Sequence, residues 1–272
     1  MQPCYSYTDS EFRSYHGWQF DESESNKLLK TSIKDILSDA EEKDSFVLEL
    51  QDLAGLPATG FDNARVLLDI QDIVKEDPQD LRNWRIGEAF AEAALNNHLS
   101  ARFHWNELRD ARNPKGNKTG ADLVGFVEVK DCVLFLFGEV KTSSETKNRP
   151  PQVMNSSADC IENQLKALYS ESNKRMILIR YLANKVRSLN SSNPFKIDYE
   201  KAKKTYYLNN HPNYQLIGVL MRDVEPNEED IKKSYLTLVS HVKGITGIKL
   251  IACYLPISKE KWKTIIESDS EQ

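Results

Sequence analysis

Three side chains capable of metal or acid–base chemistry stand at the ends of two apolar runs in "GADLVGFVEVKDCVLFLFGEVKTS", residues 120–143. Asp122 enters the first run, while Glu139 and Lys141 leave the second. An antiparallel hairpin turning at Lys130–Asp131 sets Asp122 directly across from Glu139, with Cβ atoms about 4.5–5.5 Å apart. Strand side chains repeat with period two, so Lys141 projects from the same face as Glu139. Like charges in that position destabilise a sheet, and a divalent cation between the carboxylates removes the repulsion. Mg²⁺ takes hard oxygen ligands, commonly one or two carboxylates together with substrate phosphate. A lysine two residues beyond the second acid can orient or deprotonate a water on that cation, its own pKa lowered by the charge. Hydrolysis of a phosphodiester is the chemistry this set fits. The same residues also allow a plain ion pair at a sheet edge, between Lys141 and either acid.

The tripeptide E-x-K occurs four times, starting at Glu41, Glu128, Glu139 and Glu145, so on its own it selects nothing. Glu139 is set apart by a preceding apolar strand, a neighbouring Gly138 and an acid at the matching point of the partner strand. Lys-Asp is not a strong two-residue turn pair, and a bulge would break the register.

The elements that must position these groups alternate between helix and strand. Residues 21–44 read as an amphipathic helix through Leu28, Leu29, Ile33, Ile36 and Leu37. "FVLEL" at 46–50 reads as a strand, and Pro78 marks a break. The Ala/Leu-rich segment 81–99 reads as a helix whose apolar stripe is Leu81, Trp84, Ala91 and Leu95, with Glu88 on that stripe. A carboxylate there needs a partner, either the metal site or Arg82 or Arg85 at the helix surface. A short strand at 101 leads to a basic loop. After the hairpin, Ser156 or Ser157 is placed to cap a helix through 169 that carries Gln164, with Ile161, Leu165 and Leu168 facing the core. Strands at 214–223 and 248–257, a helix near 227–243 and a closing helix complete the pattern. The expected class is α/β or α+β around one mixed sheet.

Composition bounds the rest. The chain has 272 residues, of which 40% are apolar and 28% charged, enough for a sizeable core in a globular protein. Its longest apolar run, Cys132–Gly138, is far too short to span a bilayer. The start, MQPCYSYTDSEF, has neither a basic nor an apolar leader region, and the four cysteines are scattered. A cytoplasmic protein with buried, reduced thiols and no membrane partner is expected. Residues 1–80 hold 7 basic against 18 acidic residues, and the remainder 29 against 23. An acidic front on a mildly basic body suits an interaction surface, a shield over the basic part or a solvated face. The five histidines lack zinc-site spacing, and no phosphate-binding glycine loop or serine-nucleophile motif is present. Candidate phosphate contacts are Arg109, Arg112, Lys115 and Lys118, then Lys147 and Arg149, then Lys201, Lys203 and Lys204 beside Tyr206 and Tyr207.

"GAD" opening one strand and "GEVK" closing the next, with Glu88 on an upstream helix, resembles the PD-(D/E)xK nuclease superfamily over about residues 81–182. That resemblance implies a restriction-endonuclease-like core: a helix, a three-stranded meander, a helix and a further strand. Here it would carry a helical N-terminal extension and an α/β C-terminal one, with regions 1–78 and 79–272. It implies Asp122, Glu139 and the Val140 carbonyl as ligands of Mg²⁺, with Mn²⁺ as a substitute. Lys141 becomes the catalytic lysine, and Glu88 completes the acidic cluster. Ala121 stands where the superfamily name has proline. Gln164 and Tyr169 are five apart, one more than the spacing in RecB-like relatives. The order of segments also resembles the nuclease subunits of Hachiman antiphage-defence systems. This implies a DNA substrate and a partner helicase that restrains the nuclease. The other reading is a catalytically idle scaffold of the same fold, binding a partner or nucleic acid.

Overall fold

A computed structural model describes residues 1–30, 47–52, 54, 63–75, 83–104, 120–208 and 213–268. In chain order its elements begin with β1 (Gln2–Ser10), β2 (Arg13–Gln19), α1 (Glu22–Lys30), α2 (Asn63–Lys75), α3 (Asn83–Leu99) and β3 (Ala101–Arg102). The hairpin follows as β4 (Leu123–Val129) and β5 (Cys132–Thr142). Then come α4 (Gln152–Asn155), α5 (Ile161–Ser170), α6 (Ser172–Val186) and α7 (Pro194–Tyr206). The chain closes with β6 (Tyr214–Arg222), α8 (Lys232–His241), β7 (Gly247–Tyr254) and α9 (Lys259–Glu267). The strands form one mixed α/β sheet in the order β1-β2-β7-β6-β5-β4-β3. β2, β7, β6 and β5 run parallel to one another, and antiparallel pairing with β1 on one side and with β4 and β3 on the other completes the sheet. No helix among the described residues is long and apolar enough to cross a membrane.

β5 is apolar at nearly every position because both of its faces are covered. Phe135 and Phe137 pack on one side with Leu165, Leu168 and Tyr199 from α5 and α7. Leu134 and Leu136 pack on the other with Ile86, Phe90 and Ala94 from α3. Pairing with β4 runs from Leu123 opposite Gly138 to Val129 opposite Cys132, the register that the hairpin reading requires. Lys130 and Asp131 both take positive φ, 45° and 60°, as a two-residue hairpin turn demands. The right-handed twist of two well-packed strands outweighs the steric cost to these two side chains.

Two glycines let the flanking helices come close to the end of β5. A Cβ on Gly87 would lie 2.5 Å from Thr142 Oγ1, so its absence brings α3 against that strand end. A Cβ on Gly218 would lie 2.7 Å from Ile161 Cγ2 and 2.6 Å from Leu250 Cδ2, where α5 crosses β6.

Several expectations need correction. Residues 172–186 form a helix, with Leu178, Ile179, Leu182 and Val186 buried at helical spacing. The strand beside β5 is therefore β6, beyond the span 81–182. The front of the chain opens on a β-hairpin rather than helices, and β2 pairs with β7, tying residues 13–19 to the far end of the chain. Residues 47–50 are helical. Of the expected helix at 21–44, α1 covers 22–30 with Leu28 and Leu29 buried, whereas Ile33, Ile36 and Leu37 lie outside the described residues. α5 starts at Ile161 with Cys160 as N-cap, so neither Ser156 nor Ser157 caps it. Trp84 is exposed while Ala91 and Leu95 are buried, and Leu81 lies outside the described residues. Cys160 and Cys253 are buried free thiols, but Cys4 is exposed.

The stretch leaving the hairpin is held by a buried ion pair. Arg222, fully buried, donates from Nε to Asp230 at 3.2 Å, from Nη1 to the Ser143 carbonyl at 2.8 Å and from Nη2 to the Glu145 carbonyl at 2.6 Å. Asp230 also accepts from Arg149 at 2.8 Å and from the Tyr254 hydroxyl at 3.0 Å. Deleting one member of such a pair strands the other charge in the interior. Asp230→Ala should lower the unfolding free energy by about 3–5 kcal/mol in urea titrations. The exposed Glu229→Ala should stay within about 0.5 kcal/mol of wild type. Equal effects of the two would contradict the clamp.

Candidate metal and catalytic site

The site forms where β4 begins and β5 ends. Asp122 sits one residue before β4, so the hairpin register continues to place it beside Glu139. Its Oδ2 accepts the Val140 N–H at 3.0 Å. A strand residue directs its N–H and C=O to the same side, so the Val140 carbonyl also faces the Asp122 side of β5. Lys141 Nζ donates to Glu139 Oε1 at 2.7 Å and to Asp159 Oδ2 at 2.9 Å. Gln164 Nε2, on the first turn of α5, donates to Asp159 Oδ1 at 2.6 Å. These groups line a cleft of about 640 Å³ that also includes Trp84, Glu88 and Thr142.

Burial sets the electrostatics. The Glu139 carboxyl is pushed up to about 8, first by desolvation and then by the Asp122 carboxylate beside it, against the pull of Lys141. Lys141 is also desolvated, which disfavours its charge. The Glu139 carboxylate and the hydrogen bonds to Glu139 and Asp159 outweigh that, and its pKa moves upward. In this arrangement of side chains Lys141 is a held ammonium, and the lowering expected from a cation belongs to the metal-bound site.

Asp122, Glu139, Val140 and Lys141 are thus brought together. Glu88 lines the same cleft from α3, beside Gly87. Among the described residues, no three His, Cys, Asp or Glu side chains converge into one metal-holding group. The oxygen donors that the hairpin brings together are two carboxylates and a carbonyl, in a cleft with room for water or phosphate oxygens. Such a set suits a hard dication, which commonly keeps part of its shell as water. Thr142 Oγ1, a buried atom of the same cleft, has no hydrogen-bond partner among the described residues.

Asp159 escaped the sequence reading. It lies in a turn eighteen residues after Lys141 in the chain, and no spacing rule links the two. Of the basic candidates, Arg149 is turned inward to Asp230 and Lys203 is paired with Glu200. Tyr206 packs against Phe135 and Tyr214, whereas Tyr207 is exposed. Arg109, Arg112, Lys115 and Lys118 lie outside the described residues. No family model matches the chain, and no curated protein matches it.

The raised Glu139 value makes a prediction for the metal-free protein. Its folded pKa of about 8 lies above the ordinary 4.5, so its favourable contribution is complete below about pH 4.5 and is lost as pH rises through 8. Thermal melting in EDTA should show that decline in wild type and a flatter profile in Glu139→Gln. Identical pH profiles would contradict the assignment.

Proposed function

We propose that the chain is a divalent-metal-dependent deoxyribonuclease that hydrolyses phosphodiester bonds. One observation carries the reading: Asp122 and Glu139 lie side by side at the ends of paired strands, with the Lys141 ammonium 2.7 Å from Glu139. Asp122, Glu139 and the Val140 carbonyl would hold Mg²⁺, with Mn²⁺ as a substitute. Bound there, the cation would polarise a phosphoryl oxygen and lower the pKa of the attacking water.

The chain's own residues supply the remaining functions. Deprotonated Glu139 is the form that serves as a ligand, because metal binding requires ionised carboxylates. Lys141, held as an ammonium, orients the nucleophile and neutralises charge developing on the phosphate. Asp159, itself bonded by Gln164, holds the lysine's ammonium together with Glu139. Glu88 and Trp84 line the same cleft, where Glu88 adds a further carboxylate.

The resemblance in segment order extends the proposal to biology. The nuclease would be the effector of an antiphage-defence system, kept silent by a partner helicase. The acidic front, with 18 acidic against 7 basic residues in positions 1–80, supports a charged docking or shielding role.

Incubation of the full chain with supercoiled plasmid tests the activity. Nicking should require Mg²⁺ or Mn²⁺, stop in EDTA and fall about 10²–10³-fold in Lys141→Ala, the loss typical of one charge-stabilising donor. A wild-type rate in Lys141→Ala would contradict the mechanism. An intact plasmid under every metal condition, with and without the helicase, would favour the idle scaffold.

A further inference from the structure

We infer that the outward faces of α6 and α7 form a docking surface for the sugar–phosphate backbone of DNA. The inference rests on the nuclease reading for the identity of the polyanion and names where that polymer would lie.

The chain as a whole carries a net charge of −5, yet residues 172–208 hold nine basic and only two acidic side chains. Both acids are already engaged. Asp198 is buried and accepts from Arg102 at 2.7 Å and from His104 at 2.8 Å. Glu200 is paired with Lys203 at 2.7 Å. α6 itself contains no acid along Ser172–Val186.

The exposed positions of α6 recur at helical spacing: Asn173, Ile177, Arg180, Tyr181 and Asn184, followed by Arg187 just past its end. They form one solvent stripe opposite the buried Leu178, Ile179, Leu182 and Val186. On α7 the outward stripe carries Lys201 and Lys204. Among the described residues, no acidic side chain pairs with Arg180, Arg187, Lys201 or Lys204. Ordinary solvated helix faces interleave both signs of charge; the outward face of α6 carries no acid, and the exposed acid of α7, Glu200, is engaged by Lys203.

Geometry and chemistry favour a backbone over a base-reading contact. Arg180 and Arg187 are two helical turns apart, about 10.5 Å along the axis. Guanidinium groups bind phosphate oxygens in a bidentate fork. Tyr207, 70% exposed, offers a ring on which an unpaired base can stack without sequence preference. The patch first suspected at Lys201, Lys203 and Lys204 thus loses Lys203 and Tyr206 to internal contacts and gains the arginines of α6.

Binding of a short fluorescent single strand and of its duplex, followed by anisotropy in EDTA, separates docking from cleavage. Each lost phosphate contact should reduce the slope of log affinity against log salt by about 0.9 for duplex or 0.7 for single strand. Arg180→Gln/Arg187→Gln should therefore flatten it by about 1.4–1.8 and weaken binding alike for unrelated sequences. Lys201→Gln/Lys204→Gln should act similarly, all with unchanged circular dichroism. Unchanged slopes beside normal plasmid cleavage would overturn the surface and leave the nuclease reading intact. The expected slopes in a chain that never cleaves would support the surface and overturn the nuclease. Tighter binding of polyglutamate than of DNA, lost in the same variants, would reassign the face to an acidic protein and overturn the inference.

Discussion

Two carboxylates share the end of one hairpin, and the candidate site depends on that forced approach. Asp122 and Glu139 are brought together by strand register, and burial denies Glu139 the water that would screen it. Such an arrangement is costly unless a proton, an ammonium or a metal ion offsets it. In the structure the first two act together: the Glu139 carboxyl is pushed toward protonation, and Lys141 lies against it. A dication would take the place of the proton, with the Lys141 ammonium still held beside the site by Asp159.

The fold serves that approach from several directions. Gly87 and Gly218 remove the side chains that would hold α3 and α5 away, so Glu88 and Gln164 reach the same cleft from opposite faces of the sheet. Arg222 fixes the chain just beyond Lys141 through the Ser143 and Glu145 carbonyls. A buried arginine bonded in this way holds backbone as firmly as a strand neighbour would, at the end of β5 where antiparallel pairing with β4 has stopped.

The hairpin was legible because two apolar runs of matched length admit one symmetric register, and that register alone pairs the acids. Its turn gave weak notice, since Lys130 and Asp131 take a conformation that glycine and asparagine prefer. The N-terminal strands were hidden for another reason. β1 is exposed along almost its whole length, so it shows little apolar alternation, and its anchor, the Tyr5–Tyr254 hydroxyl contact at 2.7 Å, spans most of the chain. In α6, the run "MILI" imitates a strand until Leu178, Leu182 and Val186 are counted at intervals of four. Asp159 and Arg149 illustrate a deeper limit. Asp159 reaches Lys141 and Arg149 reaches Asp230 only after loops have folded, and a charged residue in a loop reads the same whether it faces water or a buried partner.

Calorimetric titration of Mn²⁺ into the full chain, with Asp122→Asn and Glu139→Gln alongside, tests whether the paired carboxylates hold a metal ion. Wild type should bind a metal ion saturably with proton release near neutral pH, and each variant should bind it about tenfold or more weakly. Equal affinity in all three proteins would show that these carboxylates do not hold the metal.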